Sequence, residues 1–386
     1  MKFFDGQFLE ENKHYSNYQE WFDMLKPHFL YDSWDILTEN TILYPHLEPM
    51  YTLNLESIFR DDLFKLTYEE FLKSDKKFIA IVEPTESIWR NEEFRTKDGL
   101  KCNMIRYIHL MCERTSVPQD KILFITNDLN CREAYDEWFE YHNFDGKINL
   151  LGYPMYVNIL LSDYRRKGLR EVKPKNPNKT FISLFGRRDE YRERMYNYIV
   201  KSESLNNKSY VSNMALNKLL PNSHVDMDKF QKEVENEITT ESDFEKDVLE
   251  QYYDDSYFSL VPESANFLPM NNPTEFKTPT VFLSEKLARA IYYGHPFLIW
   301  CYPGVLKQLK EWGFHTFSEI FDESYDEIED VDDRCNAILL ELERVSQLDW
   351  KNMDLKSKLE HNCKILLEFK KPTEIFIQEL KGLCSQ

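Results

Sequence analysis

The chain has 386 residues, and 48 Lys and Arg against 67 Asp and Glu leave a formal charge of −19. Its length suggests two or three domains, and a hydrophobic content of 42% with 15% aromatic residues excludes a globally disordered chain. Ten glycines exclude collagen-like and glycine-rich repeats, and the acidic balance opposes a protein that wraps DNA through bulk electrostatics.

About the first 75 residues are aromatic and acidic, with amphipathic helical patches at Tyr18–Leu25 and Leu55–Leu72. Lys77–Val82 (KFIAIV) then reads as a buried strand, Asn103–Glu113 as a helix, Lys121–Thr126 (KILFIT) as a second strand, Arg132–Tyr141 as a helix and Lys147–Leu151 as a third strand. Tyr164–Thr180 changes character: seven basic residues, one Glu and two prolines predict an interdomain linker. Alternation restarts with strand Phe181–Phe185, helix Glu190–Val200, and strands near Tyr210–Ser212 and at Tyr257–Val261. Helix Phe282–Tyr292, strand Pro296–Trp300 and helix Val305–Trp312 follow, and acidic helices close the chain at about 331–346 and 352–369. Strands alternating with helices predict an α/β protein with parallel sheets.

Seven cysteines are scattered, odd in number and never spaced CxxC, which points to free thiols in a reducing cytosol rather than disulfides or zinc. The opening MKFFDGQFLEEN lacks a long apolar stretch, and no apolar run approaches the roughly 20 residues that span a bilayer. A cytoplasmic protein without a membrane span is expected.

In open parallel sheets, ligands sit beyond the carboxyl ends of the strands. Four such places carry unusual residues. Strand Phe181–Phe185 runs into Gly186, Arg187 and Arg188 before a helix opened by Asp189. Glycine permits close backbone approach and an arginine fork matches phosphate oxygens; the alternative is two solvated arginines on an ordinary turn. Strand Tyr257–Val261 is stopped by Pro262, which places Glu263 and Ser264 at its exit, either to accept from ribose or sugar hydroxyls or to cap the next segment. The following helix buries Leu283, Leu287 and Ile291 and leaves Glu285, Lys286 and Arg289 off that stripe. A lysine in a first helical turn opposes the helix dipole unless an external anion sits there; otherwise the helix begins a turn earlier and Lys286 is simply exposed. Strand Pro296–Trp300 leaves into Pro303 and Gly304, a turn that helps shape a cleft, while His295 precedes the strand and reads as structural.

The order of these features resembles the nucleotide-binding half of GT-B glycosyltransferases. It is most similar to the alpha-1,3-fucosyltransferase pattern, in which a strand–Glu–Asn stretch precedes a Thr-Glu-Lys helix start; the matching stretches are Phe258–Ser264 and Ser284–Leu287. Phe282–Asp333, ending GFHTFSEIFDESYDEIEDVDD, also resembles sugar transferases of large DNA viruses and phages. The resemblance covers about residues 180–345. It departs at Ser264, where the family has Asn, at Ser284, where it has Thr, and in the longer insert Ala265–Thr280.

The resemblance implies two Rossmann-like domains facing an interdomain cleft: an acceptor-side domain at 1–163, the linker at 164–180, a nucleotide-sugar domain at 181–350, and C-terminal helices at 351–386 that cross back onto the first domain. It implies a cytoplasmic (if viral, host-cytoplasmic) transferase moving a sugar from a nucleoside diphosphate to a hydroxyl, with the nucleotide sugar as co-substrate and no resident cofactor or metal. Arg187 and Lys286 would contact the diphosphate, Glu285 the ribose, and Glu263 the sugar or its nucleotide. A glycan or small-molecule acceptor is favoured. The alternatives are hydroxylated bases of viral DNA, for which the cations of the linker offer a local strip, and a nucleotide- or glycan-binding module without turnover. The strip itself reads as a solvated tether. An inverting transferase also needs a base from the first domain. Glu83, leaving the strand that ends at Val82, is the first choice, with Glu86 and Asp128 in reserve.

Metal-dependent readings fare worse. Asp226-Met227-Asp228 and Asp330-Val331-Asp332 read as helix entrances rather than strand-end metal pairs. The Asp322–Asp333 run puts Glu327 where an EF-hand loop requires glycine.

Overall fold

The computed structural model describes residues 26, 29–44, 69, 71–83, 94–95, 101–102, 104–142, 144–172, 177–185, 190–213, 218–219, 250–263 and 281–385. The expected patch Tyr18–Leu25, most of Leu55–Leu72, and the pair Asp226 and Asp228 lie outside them. The protein is α/β, with two separate parallel sheets among the described strands. Chain contacts group Met1–Ile159, Ala265–Leu283 and Lys370–Gln386 into a first unit, and Leu160–Ser264 with Ser284–Phe369 into a second.

Among the described residues the first unit holds α1 (Tyr31–Asn40), β1 (Thr41–Tyr44), β2 (Phe78–Glu83), a short antiparallel pair, β3 (Phe94–Arg95) with β4 (Lys101–Cys102), and then α2 (Met104–Thr115), β5 (Ile122–Thr126), α3 (Cys131–His142) and β6 (Asn149–Gly152); α4 (Met155–Lys167) begins in it and runs into the second unit from Leu160. Its main sheet has the order β1-β2-β5-β6, all parallel. Both faces are covered, so its strands read as continuous apolar runs rather than alternating ones. Ile79, Ile81, Ile122 and Phe124 pack with Ile108, Met111 and Trp138 of α2 and α3 on one face. Phe78, Ala80, Val82, Leu123 and Ile125 pack on the other face with Trp34 and Leu37 of α1 and with Phe376 and Leu380. The last two belong to the final helix, Lys370–Ser385.

The second unit contains β7 (Lys179–Phe185), α5 (Glu190–Lys201), α6 (Glu203–Asn207), β8 (Ser209–Asn213), β9 (Lys218–Leu219), α7 (Glu250–Asp254), β10 (Ser256–Pro262), α8 (Glu285–Tyr292), β11 (Phe297–Trp300), α9 (Val305–Glu311), α10 (Val331–Val345) and α11 (Lys356–Glu368); the final helix is α12. Its sheet has the order β11-β10-β7-β8-β9, parallel except for β9. From β7 the chain adds β8 on one side, then returns to add β10 and β11 on the other. The gap between β7 and β10 is therefore a topological switch point, the place where doubly wound sheets open a crevice at the strands' carboxyl ends. Aromatic contacts fill the core beneath it: Phe181 lies 5.4 Å from Phe258, and Phe258 stacks on Trp350 at 4.6 Å.

Over its described residues the basic interval is not a solvated tether. Helix α4 runs through Arg165, Arg166 and Lys167, whose positive charges suit its last turn. Tyr164 stacks on Tyr292 at 3.8 Å. Arg165 donates to the Leu367 carbonyl at 2.6 Å. Arg170 bridges Glu250 (2.7 Å) and Asp254 (2.6 Å) and lies over the Tyr293 ring. Lys179 already belongs to β7 and donates to the Asn207 carbonyl at 2.8 Å. These cations fasten elements of the second unit to one another. Lys173 and Lys175 fall outside the described residues.

Asp330 caps a helix, as expected, and Asp322 caps a short turn. Asp330 accepts from the Asp333 amide at 2.9 Å at the start of α10, and Asp322 accepts from Ser324 at 3.0 Å. Asp332 pairs with Arg194 at 2.5 Å. Six cysteines are free thiols, five buried and Cys384 half-buried. Among the described residues no helix is long and apolar enough to cross a membrane.

Candidate functional site

The switch point of the second sheet gathers four of the expected donor-side residues: Glu263, Ser284, Glu285 and Lys286. Strand β10 ends at Pro262, and Glu263 follows it fully buried, its amide donating to the Trp300 carbonyl at 3.0 Å. Arg192 of α5, also buried, fixes the same corner by donating to the Pro262 carbonyl at 2.9 Å. The sequence gives no periodic signal for Glu263's partner, which lies 21 residues further on. One carboxylate oxygen of Glu263 accepts the Ser284 amide at 3.0 Å, and the other accepts the Ser284 hydroxyl in a short contact.

Ser284 is the N-cap of α8 and accepts the Lys286 amide at 3.2 Å. The helix thus starts at Glu285, three residues later than the apolar stripe predicts, and Lys286 stands in its first turn. The alternative of an earlier start with a freely exposed lysine does not hold: the Lys286 side chain is only 19% exposed. Its ammonium donates to Ser284 Oγ at 3.2 Å and to Glu285 Oε1 at 2.8 Å. A chain of contacts from Glu263 through Ser284 to Lys286 and Glu285 therefore fixes one cation at the mouth of the crevice.

The charges reflect this packing. Burial pushes the Glu263 carboxyl up, against the pull of Lys286. Glu285 is held below its usual range: burial pushes it up, but Lys286 and Arg289 outweigh that. Glu263, expected to face the sugar or nucleotide, is instead turned inward with both oxygens engaged by Ser284; it positions Lys286. Its raised pKa has a consequence for stability. A folded carboxyl that binds its proton more tightly than the unfolded one contributes stability below the ordinary carboxylate range. That contribution is lost as pH rises through the range to the higher folded value. Glu263→Gln is expected to flatten this decline in urea denaturation series run upward from the ordinary carboxylate range. An unchanged slope would show that Glu263 carries no burial penalty.

A small recess opens beside this cluster, lined by Ile182 and Leu184 of β7, Ser259 to Pro262 of β10, Tyr253 of α7, and Lys286 and Arg289 of α8. Tyr253 and Arg289 were not among the expected site residues. Arg289 was legible as the i+3 neighbour of Lys286 on the polar side of α8; Tyr253 was not, because the single turn of α7 has no periodicity to read.

Pro303 and Gly304 shape a turn of a different kind. Gly304 has φ 84°, the left-handed conformation that favours glycine, and N-caps α9. The buried Asp326 carboxylate accepts from the Leu306 and Lys307 amides at 3.0 and 3.4 Å, so the start of α9 is already capped by the protein's own anion. His295 is structural, as expected, bound to Ser259 Oγ (2.8 Å) and the Tyr253 carbonyl (2.6 Å).

In the first unit, β2 delivers Glu83 to the carboxyl end of the sheet, where its backbone is in register with Thr126. Asp128, beyond β5, is fully buried, and its Oδ1 accepts the Asn130 amide (3.0 Å) and the Val281 amide (3.1 Å). That places Asp128 as a backbone clamp rather than a solvent-facing acid. The Glu83 side chain, Glu86, Gly186, Arg187, Arg188 and Ser264 lie outside the described residues.

Compared with protein-family models, with curated proteins and with solved structures, the chain gives no match.

Proposed function

We propose that the chain is a glycosyltransferase of GT-B architecture that moves a sugar from a nucleoside diphosphate to a hydroxyl acceptor. The observation that carries this reading is the fixed cation at the switch point: Lys286, held by Ser284 and Glu285 at the rim of a recess between β7 and β10. Breaking the bond between sugar and diphosphate leaves negative charge on the departing oxygen. A preorganised ammonium in a low-dielectric crevice stabilises that developing charge without reorganising. In this proposal Lys286 and Arg187 hold the diphosphate, Glu285 takes the ribose, and Glu83 accepts the proton of the attacking hydroxyl. These cations supply the charge neutralisation, so the proposal requires no metal.

The engagement of Arg165, Arg170 and Lys179 within the second unit supports a glycan or small-molecule acceptor over DNA, since these described members of the strip already have partners. The test is a donor screen by thermal shift with uridine and guanosine diphosphate sugars, followed by mass spectrometry of acceptor mixtures with and without a chelator. A mass increment of one sugar, retained under chelation, is expected. Binding without any turnover would instead identify a nucleotide-sugar-binding module. Turnover on DNA that falls steeply with added salt would reassign the acceptor.

A further inference from the structure

Arg289 is half-buried on the wall of the recess. Other sheltered arginines of the second unit have acceptors: Arg170 has Glu250 and Asp254, Arg192 has the Pro262 carbonyl, and Arg334 has the Ile328 carbonyl. The Arg289 guanidinium makes no hydrogen bond or ion pair among the described residues. Its electrostatic neighbours are Glu285 and the phenols of Tyr164, Tyr253 and Tyr293. Glu285 is already paired with Lys286. In a chain of charge −19, a sheltered guanidinium with no hydrogen-bond acceptor among the described residues is conspicuous, because carboxylates outnumber cations.

Two like charges three residues apart on one helix face repel each other and destabilise the helix. The repulsion turns favourable when an anion with two separately charged groups lies across them. A guanidinium also offers a planar fork that a second lysine would not. We propose that Arg289 is a further anchor of the anion site beside Lys286 and Arg187, and that Lys286 and Arg289 together on α8 select a diphosphate over a monophosphate. The inference rests on the donor reading above and adds to it a residue that determines phosphate number. On α8 itself Lys286 offers only a point charge, which discriminates little between the two ligands.

The experiment is titration calorimetry of the full-length chain with uridine and guanosine mono- and diphosphates and with inorganic pyrophosphate, using wild type, Arg289→Ala and Arg289→Lys. Wild type is expected to favour a diphosphate over the matching monophosphate by at least about tenfold, and Arg289→Ala to lose about 10–100-fold in diphosphate affinity with little change for the monophosphate. Arg289→Lys, which keeps the charge and loses the fork, should recover part of that affinity, and it supplies the comparison if the alanine variant melts early. A wild-type preference that survives unchanged in both variants overturns the role of Arg289 while leaving the donor reading standing. Failure of wild type to bind any nucleoside diphosphate removes the donor reading and this inference together. A purely structural role would lower melting temperature and affinity for both ligand classes in parallel, and that result also overturns the proposal.

Discussion

Lys286→Ala is expected to lower turnover of a nucleotide-sugar donor by about 10²–10³-fold, the usual effect of deleting one preorganised group from a site where charge develops. The loss should fall mainly on kcat, because the departing diphosphate carries more negative charge in the transition state than in the bound donor. A modest loss of stability is expected beside it: the Lys286–Glu285 pair is sheltered, with side chains 19% and 30% exposed, and a charge-assisted bond of that kind contributes about 1.5–3 kcal/mol. Glu285 keeps Arg289 as a neighbouring cation when Lys286 is removed. Lys286→Arg should not restore full activity, since the ammonium's contacts to Ser284 Oγ and Glu285 fit a compact point charge rather than a planar fork. Steady-state kinetics with melting curves check both halves of this expectation. A variant that melts early and loses activity in proportion would assign Lys286 to the fold instead.

Glu83→Gln is expected to lower turnover by about 10²–10⁴-fold while leaving nucleoside diphosphate affinity unchanged. The backbone at Glu83 is well fixed: β2 is buried from Phe78 to Val82, and Glu83 keeps its register with Thr126 at the carboxyl end of the sheet. A general base must be ionised to accept the acceptor's proton, so wild-type kcat/KM should rise with pH through the pKa of this carboxyl. The glutamine variant, with no proton to lose, should lack that limb. Near-normal turnover with the limb intact would remove Glu83 from the mechanism and favour a retaining route that needs no such base.

How far the sequence discloses this protein differs from element to element. Strands β2 and β5 are visible because a sheet covered on both faces demands long apolar runs, and FIAIV and ILFI supply them without interruption. Strand β1 (TILY) was not visible: four mixed residues following the acidic helix α1 carry no period to detect, and only pairing with β2 makes them a strand. Helix α8 was placed three residues early because its buried stripe at Leu283, Leu287 and Ile291 continues into extended backbone. What fixes its start is the Glu263–Ser284 contact, a pairing over 21 residues that no local pattern encodes.

The candidate site shows the same division. Lys286 was legible as a lysine in a position unfavourable to the helix dipole, a local anomaly with a physical meaning. The inward turn of Glu263, the capping of α9 by Asp326 and the closeness of Tyr253 to Arg289 all depend on residues brought together by topology. The basic interval shows where composition misleads. Its charges suggested a tether, yet Arg165 caps carbonyls at the end of α11 and Arg170 clamps α7.

The most direct test of the central claim is hydrogen exchange on the full-length chain with and without a saturating nucleotide-sugar donor. New protection is expected in the carboxyl halves of β7 and β10 and in the first turn of α8, over about residues 182–185, 259–263 and 284–289, and it should be lost in the Lys286→Ala variant. Protection absent from these segments and concentrated instead on the surface groove formed by Ser202, Leu205, Leu340 and Gln347 would contradict the assignment of the switch point as the donor site.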